Sequence, residues 1–155
     1  MNIAIRKTRA CTVDTLDTGL KSAMRAHGTK FGLEDLESDI LMCCETLTVH
    51  PGKGFWGGIN TTLSAVYVTP KWLVWADSSG STDVAAGTAQ LSQIDVRAPQ
   101  AVSRYAITPD QGFTVMSLNT DENGTDKMAF IVLEAQGYGQ KFRHVLQEAL
   151  RKVAL

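Results

Sequence analysis

The stretch Ala65–Asp77, AVYVTPKWLVWAD, constrains the fold more than any other part of the chain. Two apolar runs flank Thr69-Pro70-Lys71. Proline presets φ for a tight turn and has no N–H to satisfy, so these residues read as a hairpin turn. One strand ends near Val68 and the next starts at Trp72. Successive side chains of a strand point to opposite faces. Trp72 and Val74 therefore share one face, and Leu73 and Trp75 share the other. A hairpin with one wet face alternates apolar and polar residues. This one is apolar on both faces, so it is expected to be covered on both sides, by an added helix or by a second copy of the chain. Both tryptophans read as core.

With 155 residues, 44% hydrophobic and 20% charged, the chain has the size and composition of one globular domain with a real core. A formal net charge of -1 leaves no global basic field. Nucleic acid is therefore not an expected partner. In the N-terminal MNIAIRKTRACTVDT, Arg6, Lys7 and Arg9 interrupt the apolar run before it reaches the length of a signal peptide. No run approaches a membrane span, and the expected compartment is the cytoplasm.

Cys11, Cys43 and Cys44 make an odd count, which argues against a secreted disulfide framework. Cys43 and Cys44 are adjacent, so in a strand they face opposite ways: one core thiol and one on the other face. The competing reading is a vicinal metal or redox site. His27, His50 and His144 are isolated, and no CxxC or HxxxH spacing supports zinc. The expectation is no metal and no cofactor.

Two helices are expected. TVDTLDTGLKSAMRAHG places Leu16, Leu20, Ala23, Met24 and His27 on one helical face, with Thr12 or Asp14 as cap and Gly28 past the end. LEDLES adds a possible short helical turn. GYGQKFRHVLQEALRKVAL carries Phe142, Val145, Leu146, Ala149, Leu150 and Val153 on one apolar face, which has to dock on a sheet. Between them the pattern is β. DILMCCETLTVH is a strand whose alternation slips near Glu45, as at a bulge. PGKGFWGGINTT is a Gly-rich connection. DVAAGTAQLSQIDVRA is anchored by Leu91, Ile94 and Val96. VSRYAIT is a further strand, PDQG and SSGST are turns, and FTVMSLN and KMAFIVLE form a hairpin around Asn123-Gly124.

A leading helix, about seven strands and a closing amphipathic helix resemble the pleckstrin-homology-like (PH-like) fold, and specifically the small PH-like domains of bacteria. The residues that carry the resemblance are VYVTPKWLVWAD, the QLSQIDVRA element and the terminal helix, within 39–155. It implies a mainly β (α+β) domain: a partly open barrel of about seven antiparallel strands with a C-terminal capping helix. Residues 1–38 read as an added N-terminal helical extension of one structural domain. Phosphoinositide-binding members carry several cations in and after the first hairpin loop. This chain offers Lys53 there and no further Lys or Arg until Lys71.

Other motifs dissolve in context. GKGFWG matches GxGxxG, but a strand follows it rather than a helix. NTDENG starts like a calcium loop, yet Phe130 stands where its bidentate Glu belongs. No catalytic motif is present. The expected function is a non-catalytic interaction module acting through protein–protein contacts or self-association. The alternatives are a peripheral lipid-binding domain, and a small-ligand carrier or enzyme using the barrel interior. The binding candidates are Lys53, Phe55, Trp56 and Lys71, because aromatics are favoured at binding hot spots and the lysines could meet headgroups.

Overall fold

In a computed structural model, the hairpin forms as the sequence dictates. Strand β3 (Asn60–Val68) pairs with β4 (Trp72–Ser78). The Thr69 hydroxyl accepts from the N–H of Lys71 at 3.2 Å and of Trp72 at 2.8 Å, while the Thr69 N–H donates to the Trp72 carbonyl at 2.8 Å. The residues described are 5–50, 60–78, 84–97, 112–120 and 126–154. They form eight strands, two α-helices and two short 3-10 turns. The expected strand VSRYAIT, the SSGST and Asn123-Gly124 turns and the Gly-rich connection lie wholly or mostly outside them.

The strands form two antiparallel sheets. The larger has five in sequence order: β1 (Ile5–Ala10), β2 (Met42–His50), β3, β4 and β5 (Val84–Gln90). The smaller has three: β6 (Ile94–Arg97), β7 (Gly112–Thr120) and β8 (Asp126–Val132). The DVAAGTAQLSQIDVRA segment changes sheets: a 3-10 turn at Leu91–Gln93 ends β5 and starts β6. Leu91 and Ile94 are buried at this corner, as expected of its anchors, and Val96 packs beside them.

The two-sided hairpin finds two separate cores. On one side, Cys44, Val66, Val68 and Leu73 meet Phe113, Val115, Ile131 and Leu133 from the smaller sheet, with Phe142, Leu146 and Ala149 of helix α2 (Gly137–Val153). On the other, Cys43, Ala65, Tyr67, Val74 and Ala76 meet Val13, Leu16, Leu20, Met24 and Leu36. These last residues come from helix α1 (Thr18–Lys30) and its flanks. The N-terminal segment thus supplies the second cover, so no second copy is needed for it. Cys43 and Cys44 part to opposite cores, as do Leu73 and Val74. Each large aliphatic buried in this way is worth about 1.5–3 kcal/mol. Trp75 fits because its β5 partner is Gly87: a Cβ there would stand 2.4 Å from the indole.

Several expectations change. β2 pairs without a register break to both neighbours, so there is no bulge at Glu45. The pattern slips because Glu45 is itself buried, 8% exposed, and its carboxylate is met by polar partners. A register shift does occur between Met116 and Thr120 of β7. Helix α1 is capped by Asp17, whose carboxylate accepts from the N–H of Gly19 and Leu20; Thr12 instead caps the 3-10 turn at Val13–Thr15. Gly28 lies inside the helix. The stop comes at Gly32, whose φ of +67° only a glycine adopts without cost. There Leu33 N–H bonds Gly28 C=O and Gly32 N–H bonds Thr29 C=O, a Schellman closure. LEDLES forms a hydrogen-bonded turn rather than a helix, with Ser38 N–H on Asp35 C=O. Residues 5–38 form not only the helix but also the edge strand β1.

Among the described residues, no strand pairing closes the two sheets on each other. One junction is the covalent corner at Leu91–Gln93. Another is a side-chain clamp, in which Thr8 N–H donates to Glu134 Oε2 at 3.1 Å and Glu134 N–H donates to Thr8 Oγ1 at 2.8 Å. The same hydroxyl meets Thr46 Oγ1 at 2.8 Å. Beside this clamp the α2 backbone passes so close that a Cβ on Gly139 would stand 1.9 Å from the Glu134 carbonyl oxygen.

Candidate functional site

Of the four binding candidates, Lys53, Phe55 and Trp56 lie outside the described residues. Lys71 is exposed in the β3–β4 turn, with its Nζ 5.6 Å from the centroid of the Trp72 ring. At an exposed site such a cation–π contact is worth about 0.5–1 kcal/mol. The turn that holds Lys71 follows Val68, whereas the 51–59 connection enters β3 at Asn60. Eight strand steps separate these two ends of β3, about 27 Å. The structure therefore places Lys71 at the opposite end of the strand from the point where the other three candidates join it.

Two surfaces meet at the His50–Asn60 end of the larger sheet. Antiparallel register sets both. On the face that turns toward the smaller sheet, Arg6 stands opposite Thr48, Thr48 opposite Thr62, and Ser64 opposite Asp77. These residues, with His50 and with Val132 of β8, line a polar cleft of about 500 Å³. Farther along the same face the residues become Cys44, Val66 and Leu73, and the space is filled. Asp77 keeps part of its surface open to solvent, and partial desolvation in this wall pushes its carboxyl above the ordinary range.

The opposite face carries the second surface. Ile5 pairs with Val49, Lys7 with Leu47, and Leu47 with Leu63. Helix α1 lies across β5, β4 and part of β3, so Leu63 packs at the margin of the core it covers, while Ile5 and Leu47 lie beyond it. Ile5 is 68% exposed and Leu47 41% exposed. Directly opposed side chains on one face touch one another, so the four apolar residues form a strip running from the edge strand to β3. It sits at the strand ends from which the connection bearing Phe55 and Trp56 leaves.

At the other end of β1 the same face becomes electrostatic. Arg9 Nε and NH2 donate to Glu45 Oε1 at 3.1 and 2.9 Å, and Asp17 N–H donates to Glu45 Oε2 at 2.8 Å. Charge-assisted bonds of this kind offset the cost of burying the carboxylate. Beside them the Cys11 and Cys43 sulfurs lie 3.5 Å apart. All three cysteines are free thiols. Among the described residues, no three His, Cys, Asp or Glu side chains converge as a metal site would require. No helix among them is long and apolar enough to cross a membrane.

Sequence reading missed the apolar strip, the cleft and the Cys11–Cys43 contact. Each depends on the β1–β2 register, and β1 carries no apolar alternation to announce it. The one available signal was Leu47 and Val49 continuing an apolar period at a strand end where a turn would be expected to turn polar. Comparison of the chain with family models, curated proteins and solved structures finds no match.

Proposed function

We propose that the protein is a non-catalytic interaction module of PH-like arrangement that binds a partner protein through the Ile5–Leu47–Val49–Leu63 strip. What supports the arrangement is the order of elements. A meander of strands turns a corner at Leu91–Gln93 into a second antiparallel sheet, and a terminal helix fills the space between the two. Strand β1 and helix α1 are additions to it.

The observation that carries the functional reading is the exposure of Ile5 and Leu47 side by side on a sheet face that helix α1 covers only over β3, β4 and β5. Folding alone buries apolar residues when a cover is at hand, and α1 covers the neighbouring face. A contiguous apolar strip with Lys7 at its margin is the surface expected of a protein contact. Phe55 and Trp56, in the adjoining connection, extend the same chemistry.

Site-specific photo-crosslinking tests this. A photoreactive residue at Leu47 should capture a discrete protein species in cells, either a partner or a second copy. The same residue at exposed Gln147 of α2 should not. Ile5→Asp with Leu47→Asp should abolish the capture from a neighbouring position and leave folding intact. Equal capture at both positions would overturn the proposal. Sedimentation of the purified protein with anionic vesicles, lost in the same double variant, would instead establish the lipid reading.

The polar cleft supports a second reading, a small polar ligand held by Arg6, His50 and Asp77. A thermal-shift screen of small polar ligands, repeated on Asp77→Ala, reads it directly.

A further inference from the structure

Cys11 follows the last residue of β1 and continues its ladder. Ala10 stands opposite Cys44, and the Cys11 N–H donates to the Cys43 carbonyl at 3.0 Å. Cys11 and Cys43 are thus directly opposed across two strands, and their sulfurs lie 3.5 Å apart. Opposed residues of a hydrogen-bonded pair have Cα atoms about 5.5 Å apart, inside the range that disulfides span. Bond formation needs the sulfurs to close to about 2.05 Å, a movement of about 1.5 Å that two side-chain rotations can share. We propose that Cys11 and Cys43 form a reversible disulfide, which makes this end of β1 a modification site for hydroperoxides.

The two sulfurs differ in the way such chemistry requires. Cys11 is half-buried and open to a small oxidant, while Cys43 is 3% exposed. A hydrogen bond from the Cys43 thiol and the nearby Arg9 guanidinium both favour thiolate at Cys11, and hold it below the ordinary cysteine range against burial and Glu45. Cys43 is driven far the other way, by its bond to Cys11 and by burial, so it stays a thiol. The charged groups at this corner are Arg9 and Glu45, and Glu45 is engaged by Arg9 and the Asp17 N–H. Cys44 takes no part: it lies in the opposite core, with its sulfur 4.0 Å from the Tyr138 carbonyl.

The steps balance. The Cys11 thiolate attacks the distal oxygen of a hydroperoxide. An S–O bond forms, the O–O bond breaks, and hydroxide or an alkoxide leaves, taking a proton from solvent to become water or an alcohol, which gives a sulfenic acid on Cys11. With Cys11 now a neutral sulfenic acid, its charge no longer holds the Cys43 proton on, and Cys43 gives that proton up as its sulfur attacks the sulfenic sulfur. The S–S bond forms, the S–O bond breaks, and hydroxide leaves as water with the Cys43 proton. Two electrons pass from the thiols to the peroxide. A thiol reductant returns them by exchange through a mixed disulfide. The cross-link closes the chain from 11 to 43 and staples α1, the cover of one core, to β2.

The test is titration of the whole protein with hydrogen peroxide, followed by alkylation and peptide mapping. One intramolecular link between Cys11 and Cys43 is expected, with Cys44 alkylated only after unfolding and the link removed by reductant. The oxidised form should melt about 5–15 °C above the reduced form. In Cys43→Ser, a 1,3-dione should trap a sulfenic acid on Cys11; in Cys11→Ser, neither link nor adduct should form. If Cys43→Ser does not fold, iodoacetamide rates on the wild type decide instead: Cys11 should react well before Cys43 and Cys44. A link between chains, a Cys43–Cys44 product, no link at all, or equal alkylation rates would each overturn the proposal.

Discussion

Glu45 and Asp77 are both carboxylates on strands of the larger sheet, and their surroundings treat them differently. Glu45 is buried but receives bonds from Arg9 and the Asp17 N–H. Asp77 is partly desolvated in the cleft wall, and that pushes its carboxyl up. A carboxyl that protonates more readily in the folded chain binds more protons folded than unfolded, in the window between its ordinary value and its raised one. Stability therefore falls as pH rises through that window. Asp77→Asn removes this titration. The variant should be more stable than wild type at neutral pH, and the gap should shrink as pH drops toward about 4, the ordinary Asp range. Urea melts across that span measure it. A gap that stays constant with pH would show that Asp77 pays no desolvation cost in the folded state.

Helix α2 makes the clearest element-scale claim. Phe142 is fully buried, Leu146 1% exposed, and the Phe142 ring stacks with Phe113 at 6.3 Å. Val153, on the same sequence stripe, is 37% exposed because it lies past the edge of the core. Phe142→Ala and Leu146→Ala should each cost about 2–5 kcal/mol, and Val153→Ala about 0.5 or less. Denaturant melts of the three variants check the contrast; small losses for the first two would remove the helix from the core. This helix and the β3–β4 hairpin were legible in the sequence because their apolar periods match their own geometry. Strand β1 was not. Its IRKTRA reads as solvated charge, and only Thr8 of the six is buried. An edge strand held by a neighbour's backbone needs no apolar face. The Leu91–Gln93 corner was legible as apolar anchors but not as a change of sheet, since Leu91 and Ile94 serve one core from both sides of the turn. The candidate site was legible least. Leu47, Leu63, Cys11 and Cys43 are distant in sequence, and only the β1–β2–β3 register brings them together.

At the scale of the whole molecule, the question is what keeps two sheets in register when no strand pairing among the described residues closes them. At one junction the chain itself turns the corner at Leu91–Gln93. At the other, β1 meets the β8–α2 junction through Thr8 and Glu134, residues separated by 126 positions. The pair exchanges two hydrogen bonds, and the Thr8 hydroxyl also reaches Thr46. Thr8 is 4% exposed, so a lost partner is not replaced by water. Each member of such a pair, once alone, leaves a buried donor or acceptor unmet, at about 1–3 kcal/mol. Thr8→Val and Glu134→Ala should therefore each destabilise by that order. Thr8→Val takes the acceptor from the Glu134 N–H and Glu134→Ala takes it from the Thr8 N–H. The double variant should cost less than the sum, because the first loss already loosens β1 at this junction and leaves the second bond less to hold. Amide exchange should locate the effect: protection should fall in β1 first, while β4, between β3 and β5, keeps the global value. Strict additivity, or loss spread evenly over both sheets, would show that the sheets are held by core packing alone. A coupled loss that opens β1 would show that this clamp fixes the strand, and with it the apolar strip and the Cys11–Cys43 contact.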